Sequence, residues 1–236
     1  MEKIIFFVLL IFCFTCAAEI DPRGFWISNQ EDVVCQHIYD PLLSKGLLTF
    51  FKKESAQSIV DFGCGMGDYS KVLVSHDFNV EAYDGNPATP YLTGGIGGVI
   101  DLSIPFSLGK KYDWVMSLEV GEHIPKEYEQ IFIENLMTHC ENGILLSWAV
   151  EGQGGYGHFN CQNNDYIKNI FSQYGFDNDV EAENFLRDAA SRDWFKNTIM
   201  VFRKNKNFIP LDTTSQTNEK TSFTTNQSES TGLNAE

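Results

Sequence analysis

Glu119-x-x-Glu122-His123 gathers two carboxylates and an imidazole within one short turn, and His158 follows in a glycine-rich stretch, Gln153 to Asn160. Such side chains suit two kinds of chemistry. Together they can hold a hard divalent cation, Mg2+ or another, which would bind a hydroxyl and acidify it. Without a cation, an imidazole can move the proton itself. Glu119, Glu122, His123 and His158 are therefore the candidate metal ligands, and Glu122, His123 and His158 the candidate catalytic groups. A plainer reading stands beside both. Glu122 with Pro125 fits the start of a helix, leaving the histidine structural.

A second constellation lies upstream, in Val60-Asp61-Phe62-Gly63-Cys64-Gly65-Met66-Gly67-Asp68. An apolar run ends in an acid, three alternate glycines follow, and a helix can begin at Asp68. A loop almost free of side chains lets a ligand meet backbone N–H groups at the positive end of a helix. A dinucleotide fold asks for G-x-G-x-x-G, and here Asp68 occupies the sixth position, where it would face a pyrophosphate. A phosphate-binding P-loop needs Gly-Lys-Ser/Thr, and this loop has no lysine.

The loop Asp61-x-Gly63-x-Gly65-x-Gly67 resembles the first motif of the class I S-adenosylmethionine-dependent methyltransferases, in which the glycines admit the methionine part of the cofactor. Later signals agree in order and spacing. Asp84 ends the apolar segment Phe78 to Tyr83, about twenty residues after Gly63, where an acid that binds ribose hydroxyls is expected. The resemblance further implies that Asp101 meets the adenine amino group, that Leu102 touches the ring, and that Glu119 belongs to the cofactor site. The E-x-x-E-H run is similar to that of two metal-using branches, one making ubiquinone precursors and one methylating the 3′-terminal ribose of small RNAs. The expected activity is methyl transfer to a small-molecule acceptor, with oxygen the favoured atom. The competing expectation is a secreted, non-catalytic relative that binds a ligand with the same fold.

Composition narrows the partners. The 236 residues carry a formal net charge of −15, which repels phosphate backbones and argues against nucleic acid as substrate. With 43% hydrophobic residues there is enough apolar material for one α/β domain. Residues 1–18, with the unbroken apolar run Ile4 to Phe14 and small residues at Cys16-Ala17-Ala18, look like a secretory signal peptide, or else an uncleaved anchor. That reading places the protein in the secretory pathway, in the ER or Golgi lumen or outside the cell, with no further membrane contact. Of the cysteines left after cleavage, Cys35, Cys64, Cys140 and Cys161, a Cys35–Cys161 bridge is conceivable, and Cys64 reads as a small buried thiol.

These groups need a scaffold. The expected fold is α/β, a Rossmann-like doubly wound sheet of seven strands with the last antiparallel. Residues 19–56 form an N-terminal helical segment interrupted at Pro41, and residues 57–204 form the methyltransferase domain. Residues 205–236, polar and poor in aromatics, form a disordered tail with a possible acceptor for N-glycosylation at Asn226. Hydrophobic spacing predicts helices over Asp68 to Val74, Lys126 to Cys140 and Asp165 to Tyr174, the second closed by a cap at Asn142-Gly143. Strands are predicted over Tyr112 to Glu119, Ile144 to Val150, Asp179 to Glu183 and Thr198 to Phe202. Tyr156, Asn160 and Tyr166 are candidate acceptor-pocket residues, and Arg187 and Arg192 candidate partners for an acidic substrate.

Overall fold

A computed structural model describes residues 19–27 and 37–209. The signal segment, Val33, Val34, Cys35 and the tail from residue 210 with Asn226 lie outside the described residues. The chain opens with a small antiparallel hairpin, β1 (Glu19–Ile20) and β2 (Trp26–Ile27). Helix α1 (Pro41–Lys53) follows, with Pro41 in its first turn, where a missing N–H costs nothing. The carboxylate of Asp40 caps it, accepting from the N–H groups of Leu42 and Leu43 at 3.0 and 3.1 Å. The same carboxylate accepts from the N–H groups of Ser191 and Arg192 at 2.7 and 2.8 Å. One buried acid thus ties the start of α1 to the chain's last third.

The remaining elements alternate. They are β3 (Ser58–Phe62), α2 (Asp68–Val74), β4 (Asn79–Asp84), α3 (Thr89–Leu92), β5 (Gly97–Val99), β6 (Tyr112–Leu118), α4 (Glu129–Thr138) and β7 (Cys140–Ser147). Then come α5 (Asn164–Gln173), β8 (Phe176–Asn178), α6 (Val180–Ala189), α7 (Asp193–Thr198) and β9 (Ile199–Lys204). The seven-stranded sheet runs β5-β4-β3-β6-β7-β9-β8, with β9 antiparallel to both neighbours and the pairings from β5 to β7 parallel. Sequential helices cover both faces, which is why the central strands read as continuous apolar runs. One face packs Val60, Phe62, Phe132, Leu136 and Phe171; the other packs Leu43, Leu47, Phe51, Trp114 and Leu186.

Three local expectations are corrected. Asn142-Gly143 does not cap a helix: α4 ends at Thr138 and both residues lie inside β7. Gly143 is there because a Cβ would stand 2.4 Å from the Trp114 ring. Asp179 to Glu183 is not a strand, because the Asp179 carboxylate accepts from Ala182 N–H at 3.0 Å and starts α6; the strand is the preceding Phe176–Asn178. The fold also continues past residue 204. Asn205 N–H donates to Gly175 O at 2.8 Å, and the Phe208 ring lies where a Cβ on Gly175 would fall, 2.3 Å away.

Candidate active site

The glycine loop leaves the carboxyl end of β3, the edge at which open α/β sheets bind ligands. Gly63, Gly65 and Gly67 take φ of +83°, +54° and +72°, a region that strains any side chain. A Cβ on Gly63 would stand 2.3 Å from Val120, and one on Gly65 2.3 Å from the His37 ring. Gly63 and Cys64 N–H groups donate to Tyr83 O at 2.7 and 3.0 Å, which binds the loop to β4. Asp84, at the end of β4, accepts from Gly65 N–H and Asn86 N–H, each at 2.9 Å. This acid therefore shapes the glycine loop as well as facing the cavity. Asp61 is buried and accepts from Ser70 Oγ at 2.6 Å; burial, helped by the charge of Asp84, pushes its carboxyl up to about 7.

A cavity of about 400 Å3 opens over this loop. Asp61, Gly63, Gly65, Asp84, Asp101, Leu102 and Glu119 line it, and Gly67 does not; Gly67 sits behind as the first residue outside α2. Asp101 accepts from Ser103 N–H and Oγ at 2.9 and 2.6 Å, and its other oxygen pairs with the Arg23 guanidinium. Arg23, Phe25 and Trp26 were not legible as site residues, because nothing local in a two-stranded hairpin says which surface it covers. In the fold, Phe25 packs on Gly85, and Gly24 on the carbonyl of His123.

Across the cavity, His123 and His158 line the wall and fully buried Glu122 stands behind it; the three offer ligand atoms that all lie within 4.8 Å of one another. Glu122 and His123 share a 3-10 turn after β6, and His158 comes from the loop after the neighbouring β7. His123 Nδ1 lies 3.0 Å from Gly157 O, and His158 Nδ1 3.2 Å from Gln153 O. A carbonyl only accepts, so the Nδ1 of each ring donates to it. Burial, then the neighbouring His158, pushes His123 down to about 4, so it is neutral near pH 7. Glu122 is fully buried, and among the described residues neither of its carboxylate oxygens has a partner in hydrogen-bond geometry. Burial, then the charge of Glu119, raises its carboxyl well above the usual range.

Glu119 is the correction to the predicted ligand set. Its carboxylate neighbours Glu122 but accepts from Gln153 Nε2 at 2.7 Å and Thr198 Oγ1 at 3.1 Å. It stands outside the three-residue cluster. Tyr156 lines the cavity, as expected, but Asn160 and Tyr166 do not. Both are engaged with buried Glu129: Asn160 Nδ2 donates at 2.9 Å and Tyr166 OH at 2.6 Å. Arg187 donates to Ile199 O at 2.8 Å, and Arg192 lies over Trp194 at the rim; neither lines the cavity. Cys64 and Cys161 are free thiols among the described residues, and Cys35 lies outside them.

Residues 35–147 match the model of a methyltransferase domain family. Among solved structures, the chain is similar to a magnesium protoporphyrin IX methyltransferase from Synechocystis PCC 6803 with bound S-adenosylmethionine. Identity is 18% over 69% of this chain and 78% of that one, with a TM-score of 0.54. It is similar to the methyltransferase domain of bacterial CtHen1, at 14% identity over 69% and 97% of the two chains and a TM-score of 0.51. A glycopeptide N-methyltransferase complexed with sinefungin matches at 13% identity over 71% and 95%, TM-score 0.50. No curated protein matches the chain by sequence. The fold is that of the class I methyltransferases. The domain-model match thus marks a methyltransferase domain over residues 35–147, set in the class I methyltransferase fold.

Proposed function

We propose that the chain transfers the methyl group of S-adenosylmethionine to a hydroxyl oxygen of a small-molecule acceptor, with Glu122, His123 and His158 able to hold Mg2+ or another divalent cation. The observation that carries this reading is Glu122. A buried carboxylate with both oxygens unpartnered is costly, and it lies 4.0 Å from His158 Nε2. The neutral His123 ring and the His158 ring complete a donor set that fits a divalent cation. Bound there, a cation would acidify an acceptor hydroxyl.

The chain's own residues supply position. Asp84 and the glycine loop hold the cofactor's ribose and methionine parts, Asp61 and Glu119 line the same cavity, and Asp101 with Leu102 takes the adenine side. The methyl carbon leaves sulfur, which keeps the bonding pair, as the acceptor oxygen attacks from the opposite side and loses its proton. With a good leaving group already present, alignment is most of the catalysis. The 1–18 segment, read as a signal, would deliver the enzyme to the secretory pathway; sequencing the mature N-terminus tests that.

The test of the activity is transfer of labelled methyl to a panel of hydroxylated small molecules, with chelator and with added Mg2+. The proposal expects label on oxygen, lost with chelator and restored by Mg2+. Turnover indifferent to chelation would remove the cation, and label only on nitrogen would remove O-methylation.

A further inference from the structure

We infer that the acceptor is a small flat ring compound, neutral or cationic away from its reacting hydroxyl, and that it binds against Trp26. This rests on the cavity being the transfer site, and it names the substrate class. Trp26 reaches the cavity from the N-terminal hairpin. Its ring meets that of His123 at 5.4 Å and 85°, and that of Tyr156 at 6.2 Å and 69°. Trp26, Tyr156, His123 and His158 thus form one contiguous aromatic wall of the cavity, the His158 ring lying 5.0 Å from that of His123. A ring compound can add a further offset or edge-to-face contact to such a wall.

Trp26 Nε1 is buried and has no acceptor among the described residues. An orphaned donor next to the imidazole cluster invites a ligand oxygen, as the orphaned Glu122 oxygens invite a cation. Size is restricted as well. About 400 Å3, near the lower end for ligand pockets, has to hold cofactor and acceptor together. That favours a small acceptor.

Charge sets the other limit. Among the described residues that line the cavity, the charged side chains other than histidine are all acids: Asp61, Asp68, Asp84, Asp101 and Glu119. The whole chain adds a field of the same sign, with a formal charge of −15. A carboxylate or phosphate on the acceptor would be carried against that field, whereas a hydroxyl or an ammonium would not.

The test uses three probes of one shape, 2-phenylethanol, phenethylamine and phenylacetate, titrated into the whole protein with and without S-adenosylhomocysteine. The alcohol and amine should bind at least about ten-fold tighter than the acid. Trp26→Ala should weaken them by about ten-fold, with affinity for S-adenosylhomocysteine changed less than about two-fold. Trp26→Phe, which keeps a flat face and removes the N–H, should recover most of the amine binding and less of the alcohol binding. Equal or tighter binding of phenylacetate, or no binding of any probe, overturns the inference while leaving the cofactor titration intact. A missing response to S-adenosylhomocysteine instead marks failure of the underlying transferase reading.

Discussion

His158 Nε2 stands 4.0 Å from Glu122 Oε1, although the two residues follow different strands. The main chain enforces this meeting. Glu122 O accepts the N–H groups of Phe159 and Asn160, each at 2.9 Å, so the loop carrying His158 is pinned to the turn carrying Glu122. Asn160 then locks the loop from behind. Its carbonyl accepts from Trp148 Nε1 at 2.6 Å, and its side chain donates to Glu129.

Asn160→Ala should therefore disturb the cluster without touching it. The substitution takes a donor from the buried Glu129 carboxylate, costing about 1–3 kcal/mol of stability. Methyl transfer should fall by at least ten-fold, because a shift of about 1 Å in a positioning group is that expensive. Cofactor affinity should hold. Parallel measurement of melting temperature, cofactor binding and turnover checks the three together.

Asp84→Ala tests a role larger than a ribose contact. The wild-type carboxylate receives Gly65 N–H and Asn86 N–H, so its removal frees the glycine loop as well as the ligand. Affinity for S-adenosylhomocysteine should drop by about ten-fold or more, since charge-assisted bonds are each worth about 1.5–3 kcal/mol. Asp84→Asn should recover little, because the amide offers one acceptor oxygen where the carboxylate has two. Titration calorimetry of both variants reads the effect; unchanged affinity in folded protein would remove Asp84 from the site.

Asp61 predicts a pH dependence. Burial raises its folded pKa from 3.8 to about 7, so the folded chain holds a proton that the unfolded chain has released. Folding stability from this group is greatest below pH 4 and declines as pH rises from about 4 to about 7. Asp61→Asn should flatten that part of the profile. Urea unfolding at a series of pH values checks the slope, and an identical slope in the variant would show that Asp61 is not its source.

Gly143→Ala probes packing away from the site. The added methyl would meet the Trp114 ring at 2.4 Å and Phe202 O at 2.7 Å, between two fully packed strands. Overpacking of this kind costs about 1–3 kcal/mol. A lowered melting temperature with normal cofactor affinity below the transition is expected.

Much of this organisation was legible in the chain, and the misses share a cause. The glycine loop, Asp84 and α2 from Asp68 were readable because each depends on local chemistry at a strand end. Glu122, His123 and His158 were readable as a group because adjacent parallel strands bring their ends together. Glu119 looked equivalent to Glu122 in sequence, yet its carboxylate is taken up by Gln153 and Thr198, and no pattern announces that. Asp179 was misread because a cap and a strand end use the same residue types. Trp26 and Arg23 enter the site only through tertiary packing of a hairpin on distant turns, and Glu129 reaches the loop of His158 only through Asn160 and Tyr166.

The most direct measurement is calorimetric titration of the whole protein with S-adenosylhomocysteine, with NAD as the comparison ligand. One site per chain is predicted for S-adenosylhomocysteine, weakened in Asp84→Ala, with no heat from NAD. A folded protein that takes up no S-adenosylhomocysteine, or that prefers NAD, would oppose the reading of Gly63 to Gly67 and of everything built on it.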